Sequence, residues 1–266
     1  MRTPLRLSVT RIPLLTGVMR RSVFVVLATL ISVSSTGCGL LASRHGPGEL
    51  ATANEGLLHS TKRPPSQLTA QTGRVLPRPE FGVTPEVQVE LDRFMTRDRQ
   101  TVLRILDENA HRYEETKRVF EGHGVPTELL SVAAVESGFN PKAMSPAGAR
   151  GMWQFMKSTA RLYGLTVSRV KDERLDPDLS TEAAAKHLRD LFVLFQDWHL
   201  VLAAYNAGSG AVNRLLTSNG ESDFWELSRG GHLPKETQRF VPRVIALSLI
   251  FSDPVRYGFN ETKMIG

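Results

Sequence analysis

Cysteine is almost absent from this chain: Cys38 stands alone among 266 residues, which excludes an intramolecular disulfide as a source of stability. The seven histidines, among them His111, His123, His187, His199 and His232, show no His-x-x-x-His ligand spacing, and no glycine-rich nucleotide loop is present. The pattern therefore predicts no metal and no cofactor. No apolar run is long enough to span a bilayer; the longest, Val23 to Ile31, falls well short. Alternating strand patterns are few, and neither an internal repeat nor a low-complexity run is found.

What is present begins with a positively charged leader. Arg2, Arg6, Arg11, Arg20 and Arg21 precede position 38 with no acidic residue among them. The formal charge of +6 suggests a nucleic-acid partner, but without that leader 28 bases face 27 acids, and the argument for nucleic acid disappears. Residues 1–37 read as a secretory signal: Arg20-Arg21, the short apolar run, then small residues. Ser35-Thr36-Gly37-Cys38 resembles a bacterial lipoprotein signal, which implies acylation of Cys38 and a membrane anchor. The alternative is a lone thiol discarded with the leader. Residues 38–82 are rich in Gly, Pro, Ser, Thr and Gln and lack any sustained period, the composition of a tether.

From residue 83 to about 260 the signals are helical, and residues 261–266 form a tail. Thr84-Pro85-Glu86 caps a first helix with Val87, Leu91 and Phe94 on one face. A second is expected from about Asp98 to Glu121, ended by Gly122 to Gly124. A third starts at Pro126 or Thr127 and runs to Glu136. Further helices are expected with Ser158 and Ser180 as caps, from Leu200 to Asn206, from Gly210 to Leu216, and from about Glu236 to Phe251, kinked or begun near Pro242. The class is mainly α.

One residue in this pattern is out of place. Glu136 closes the apolar segment Leu129-Leu130-Ser131-Val132-Ala133-Ala134-Val135, with Leu129, Val132 and Ala133 seven, four and three positions before it. A helix normally buries that face. Desolvation, the negative end of the helix and the lack of a nearby Lys or Arg all favour the protonated acid, which suits proton donation near neutral pH. The competing reading is a glutamate whose head reaches water past the last turn.

Glu136-Ser137-Gly138-Phe139-Asn140-Pro141-Lys142-Ala143, the block from Ser145 to Phe155, Ala203-Ala204-Tyr205-Asn206-Ala207-Gly208, and Pro234 to Pro242 together resemble, in order and spacing, the lytic transglycosylases of the goose-type-lysozyme-like fold. The resemblance extends from roughly Val87 to Phe259 and implies a helical, lysozyme-like catalytic domain preceded by two helices. It also implies the chemistry. In that family one Glu, here Glu136, protonates the β-1,4 bond between N-acetylmuramic acid and N-acetylglucosamine. It then takes the proton of the muramic C6 hydroxyl as that oxygen attacks C1, leaving a 1,6-anhydro end, so no second carboxylate is needed.

The resemblance further places Ser145, Gly151, Met152, Gln154, Tyr205 and Asn206 at the saccharide. Gly151 fits a close backbone approach to sugar, Gln154 offers an amide, and Met152 with Trp153 suggests an apolar subsite floor; core packing is as good a reading of Trp153, and a helix cap of Asn206. Phe240 departs from the family pattern, which has tyrosine there. Asp172, Glu173, Asp176 and Asp178 are an acidic run that either hides a second carboxylate or, by a wide margin, forms a solvated loop and helix cap. The implied partner is the peptidoglycan glycan strand, and the implied location is the periplasm, anchored to the outer membrane through Cys38. Two other readings stay open: a lysozyme-type hydrolase, which needs a second carboxylate, and a weakly active peptidoglycan-binding scaffold.

Overall fold

The structure, a computed structural model, describes residues 75–220 and 223–260. The leader, Cys38 and the tether up to residue 74 lie outside the described residues. Residues 75–82, expected as the end of the tether, run without regular structure against the domain. Leu76 donates its amide to the Gly124 carbonyl at 2.9 Å, and the Pro77 carbonyl accepts from Trp198 Nε1 at 2.9 Å.

Thr84 opens α1 (Pro85–Met95), its hydroxyl accepting from the Val87 amide at 3.4 Å. The stripe Val87, Leu91 and Phe94 is buried, as the spacing predicts. The next helix is not continuous. α2 (Arg99–Glu108) and α3 (Ala110–Gly122) meet at Asn109, whose φ of −112° and ψ of 10° leave the helical region. Asn109 stands three residues after Leu106 and four before Tyr113, and asparagine is a poorer helix former than the leucine or methionine that would continue an apolar stripe there. Three helices rather than the expected two therefore precede the segment bearing Glu136.

That segment starts as a 3-10 turn (Thr127–Leu130) and becomes α4 (Ser131–Ser137). Gly138, at φ 62°, stops it, with the amides of Gly138 and Phe139 returning to the carbonyls of Ala134 and Ala133. After the loop come α5 (Lys157–Leu162), a 3-10 turn (Glu173–Leu175), α6 (Pro177–Phe195), α7 (Trp198–Ala207), α8 (Ser209–Asn219), α9 (Phe224–Arg229) and α10 (Lys235–Ser252).

Two caps differ from expectation. Ser158 lies inside α5, whose N-cap position is Met156 with no side-chain bond. Ser180 lies inside α6, which Asp176 caps by accepting from the amides of Asp178 and Leu179, both at 3.0 Å, ahead of Pro177. α9 escaped the periodic pattern because six residues are under two turns; its signal was Asp223, which accepts from the Glu226 amide at 2.9 Å. α10 runs unbroken through Pro242 and packs on α1, α4 and α7 through Val241, Val244, Ile245, Leu247 and Ile250. Buried Glu90 of α1 ties to it by accepting from Arg243 at 3.2 Å, while Arg93 donates to the same carboxylate at 3.0 Å.

The class is mainly α. Among the described residues the only extended pairings are isolated bridges, Met144 with Arg150, Arg150 with Phe155 and Val167 with Asp172, and no helix is long and apolar enough to cross a membrane. Because Asp176 satisfies two first-turn amides of the long α6, Asp176→Ala is expected to lower unfolding free energy by about 1 kcal/mol, read from urea denaturation at constant m-value.

Candidate active site

Glu136 sits at the next-to-last position of α4, and part of its surface remains open to solvent. Its surroundings are nonetheless dense. Burial pushes its pKa up to about 8, and the negative charge of Glu236, at the start of α10, adds to the shift. Among the described residues no donor or cation is paired with this carboxyl, so nothing offsets the loss of water. Burial was the effect expected from the sequence; the contribution of Glu236 was not, because it comes from a residue a hundred positions away. Glu236 itself is exposed.

Facing Glu136 is Tyr205, in the last turn of α7. Its own pKa is raised by burial and then by the charge of Glu136, so it keeps its proton and donates it to the Trp153 carbonyl at 2.8 Å. Asn206 beside it is not the helix cap; Gly208, at φ 88°, fills that role. The Asn206 Oδ1 instead accepts from Thr237 Oγ1 at 2.8 Å, which fastens the end of α7 to the first turn of α10 near Glu236.

The third wall is the loop from Asn140 to Phe155, and its backbone is tied carbonyl by carbonyl. Gly151 O accepts from Gln154 Nε2 at 2.7 Å, Met152 O from Ser137 Oγ at 2.7 Å, and Trp153 O from Tyr205. Arg174, 4% exposed, reaches in from the 3-10 turn and donates to Gly148 O at 2.9 Å and Phe155 O at 3.0 Å. Its guanidinium is held by Asp172 through two bonds of 2.8 Å, and this pairing keeps the Asp172 carboxyl below its usual range. Two non-glycine residues are held at positive φ here, Phe139 at 60° and Gln154 at 49°. Such strain persists only where the surroundings over-determine the backbone.

Several expected sugar contacts turn out to be structural. Met152 and Trp153 are fully buried: Trp153 stacks on Phe120 with ring centres 5.3 Å apart and donates Nε1 to Thr181 Oγ1 at 3.0 Å. Neither offers an apolar floor to a saccharide. Gly151, at φ 81°, is small because a Cβ there would lie 1.7 Å from the Arg174 carbonyl oxygen, so it is protein rather than sugar that approaches. Ser145 closes the loop turn, its Oγ accepting from the Ala149 amide at 3.0 Å, which leaves the hydroxyl proton to donate outward. Gln154 keeps its Oε1 as an acceptor.

The acidic run forms a loop and helix cap, with Asp178 exposed in the first turn of α6. Asp172 holds Arg174, Asp176 caps α6, and Glu173 accepts from the Thr166 amide at 2.6 Å and pairs with Lys171. Phe240 is buried in α10. Sequence reasoning passed over Ser137 and Arg174, whose tasks depend on carbonyls remote in the chain. Among the described residues no cluster of His, Cys, Asp and Glu is arranged to hold a metal.

The site thus brings together a half-open, proton-holding glutamate at the end of a short helix, a loop tied by its carbonyls and a tyrosine. Residues 117–228 match the family model of the Transglycosylase SLT domain. The chain is 44% identical over 139 residues to membrane-bound lytic murein transglycosylase D of Escherichia coli, a match covering 50% of this chain and 30% of that protein. It is 33% identical over 127 residues to membrane-bound lytic murein transglycosylase F of Shewanella loihica, covering 45% and 25% respectively. An inactive mutant of the lytic transglycosylase Slt of Pseudomonas aeruginosa superimposes with a TM-score of 0.47 at 26% identity, over 56% of this chain and 25% of that one. The matched region thus spans about a third or less of these relatives' lengths.

Because φ at Gly151 is positive and its Cβ direction is filled by backbone, Gly151→Ala is expected to cost about 3 kcal/mol or more in unfolding free energy, checked by urea denaturation.

Proposed function

We propose that the protein is a peptidoglycan lytic transglycosylase, cleaving the β-1,4 bond between N-acetylmuramic acid and N-acetylglucosamine and leaving a 1,6-anhydromuramic acid end. The single observation that carries this reading is the carboxyl of Glu136: unpaired, partly open to solvent, and raised to a pKa of about 8 by burial. Such a group enters the reaction as the acid and gives its proton to the glycosidic oxygen as the C1–O bond breaks. The carboxylate left behind removes the proton of the muramic C6 hydroxyl while O6 forms the new bond to C1. The proton count returns to its starting value, and no water is consumed. An intramolecular nucleophile supplies proximity that a water molecule must gain by positioning.

Around that step, Ser145 and Gln154 supply outward-facing hydrogen-bonding groups. Tyr205 keeps its proton on the Trp153 carbonyl and works by position rather than by titration. Residues 83–260 form the catalytic domain in this reading, residues 38–82 the tether, and residues 1–37 the leader. With Cys38 acylated, the enzyme stands in the periplasm on the outer membrane, its partner the glycan strand. The names of the relatives, which are membrane-bound murein transglycosylases, support that placement.

Digestion of purified sacculi followed by mass spectrometry is expected to show muropeptides with anhydro ends; reducing ends alone would mean hydrolysis, with Glu236 the group to examine for activating water. Glu136→Gln keeps the shape and loses the proton, and is expected to lower turnover by at least about 10²–10⁴-fold. The sign of the pH dependence follows from the acid being the working form. The rate holds below about pH 8 and falls as pH rises through it, the reverse of an ordinary glutamate acting as a base.

A further inference from the structure

Behind Tyr205 lies a buried polar set that the chemistry above does not use. His187 and Asp190, three residues apart on α6, are each 3% exposed, and Tyr163, at the end of α5, lies between them. Tyr163 Oη donates to Asp190 Oδ2 at 3.1 Å and lies 3.1 Å from His187 Nδ1. The His187 ring centre is 4.9 Å from that of Tyr163, 5.3 Å from Tyr205 and 6.1 Å from Phe155. Three polar groups in a core slot that a leucine and two phenylalanines could fill carry a desolvation cost, which calls for a return.

The direction of the hydrogen bonds can be worked out. Burial lowers the His187 pKa to about 3, so the ring is neutral; burial raises that of Asp190 to about 6, so it is a carboxylate at and above neutral pH and accepts only. Tyr163 has one proton and gives it to Asp190. Its oxygen therefore accepts, and the partner on His187 must be Nδ1–H. One tautomer and one ring orientation result. The ring so fixed packs on Tyr205, which holds Trp153 O, and on Phe155, whose carbonyl Arg174 holds. Between those two lies Gln154 at its positive φ.

We propose that His187 is a positioning residue for the active site: held in its Nδ1–H form by Tyr163 and Asp190, it fixes Tyr205 and Phe155 and thereby the turn that presents Gln154. It touches no substrate and transfers no proton. Small displacements of such a wall cost rate rather than binding, because reacting groups tolerate little misplacement.

The proposal rests on the transglycosylase reading, so the test keeps the two apart. The full chain labelled with [15N]histidine is expected to show His187 as the neutral Nδ1–H tautomer at pH 7.5 by NMR; an Nε2–H tautomer overturns the proposal whether or not the protein cleaves sacculi. Failure of the wild type to release muropeptides would instead sink the transglycosylase reading. Tyr163→Phe removes the central oxygen and is expected to scramble the tautomer and lower kcat about tenfold with KM within about twofold. Asp190→Asn keeps an acceptor oxygen, and is expected to preserve the tautomer and hold kcat within about threefold of wild type. Unchanged kcat in Tyr163→Phe, or an Asp190→Asn loss as large as that of Tyr163→Phe, overturns the assignment. Should Tyr163→Phe not fold, the wild-type spectrum and Asp190→Asn decide the matter.

Discussion

Removing a carboxyl from water without giving it a partner is the constraint on which this structure turns. Among the described residues a charged Glu136 has no cation or donor to compensate its burial, so it resolves the cost by keeping its proton. The fold arranges this with few parts. α4 is only seven residues long, is buried at Val132, Ala133 and Ala134, and is cut short by Gly138, so the acid emerges where the helix can no longer cover it. Across from it α10 brings Glu236, whose negative charge opposes ionisation further. α10 is bound to α1 by Arg243 on the Glu90 carboxylate, which Arg93 of α1 also holds, and to Asn206 through Thr237.

Around that acid the protein invests in rigidity. Carbonyl 151 receives a bond from Gln154 of the same loop, 152 from α4 and 153 from α7, and Arg174 receives its own support from Asp172 before pinning the loop at Gly148 and Phe155. The positive φ values of Phe139 and Gln154 are the local cost of this wiring. A wall organised before substrate arrives needs little rearrangement as charge develops, which is the general source of rate enhancement in such sites. The buried His187, Tyr163 and Asp190 extend the same logic one layer deeper.

Much of this was legible in the residues. The Thr84-Pro85 start, the stripe of α1 and the misplaced acid at the end of an apolar helix depend on neighbours within one or two turns, and local spacing reveals them. Asn109 shows where periodicity fails: its position matched the stripe, but the backbone leaves the helical region there. Asp176 caps α6 ahead of the serine that spacing favours, and Asp197 caps α7 by accepting from the amide of Leu200, the residue at which spacing starts that helix. In the site, family resemblance puts Met152 and Gly151 at the sugar and leaves Trp153 open between sugar and core, yet Met152 is fully buried, Trp153 packs on Phe120 and Thr181, and Gly151 abuts the Arg174 backbone. Only the tertiary structure shows which face of a loop meets protein and which meets solvent. The influence of Glu236 on Glu136 was hidden for the same reason.

The central claim is that Glu136 is a neutral carboxylic acid at pH 7. Its side-chain 13C carboxyl shift, followed by NMR from pH 4 to 10 in the full chain and assigned by loss of the signal in Glu136→Gln, measures this directly. The account predicts a midpoint near pH 8. A midpoint near the ordinary glutamate value of about 4.3 would contradict it.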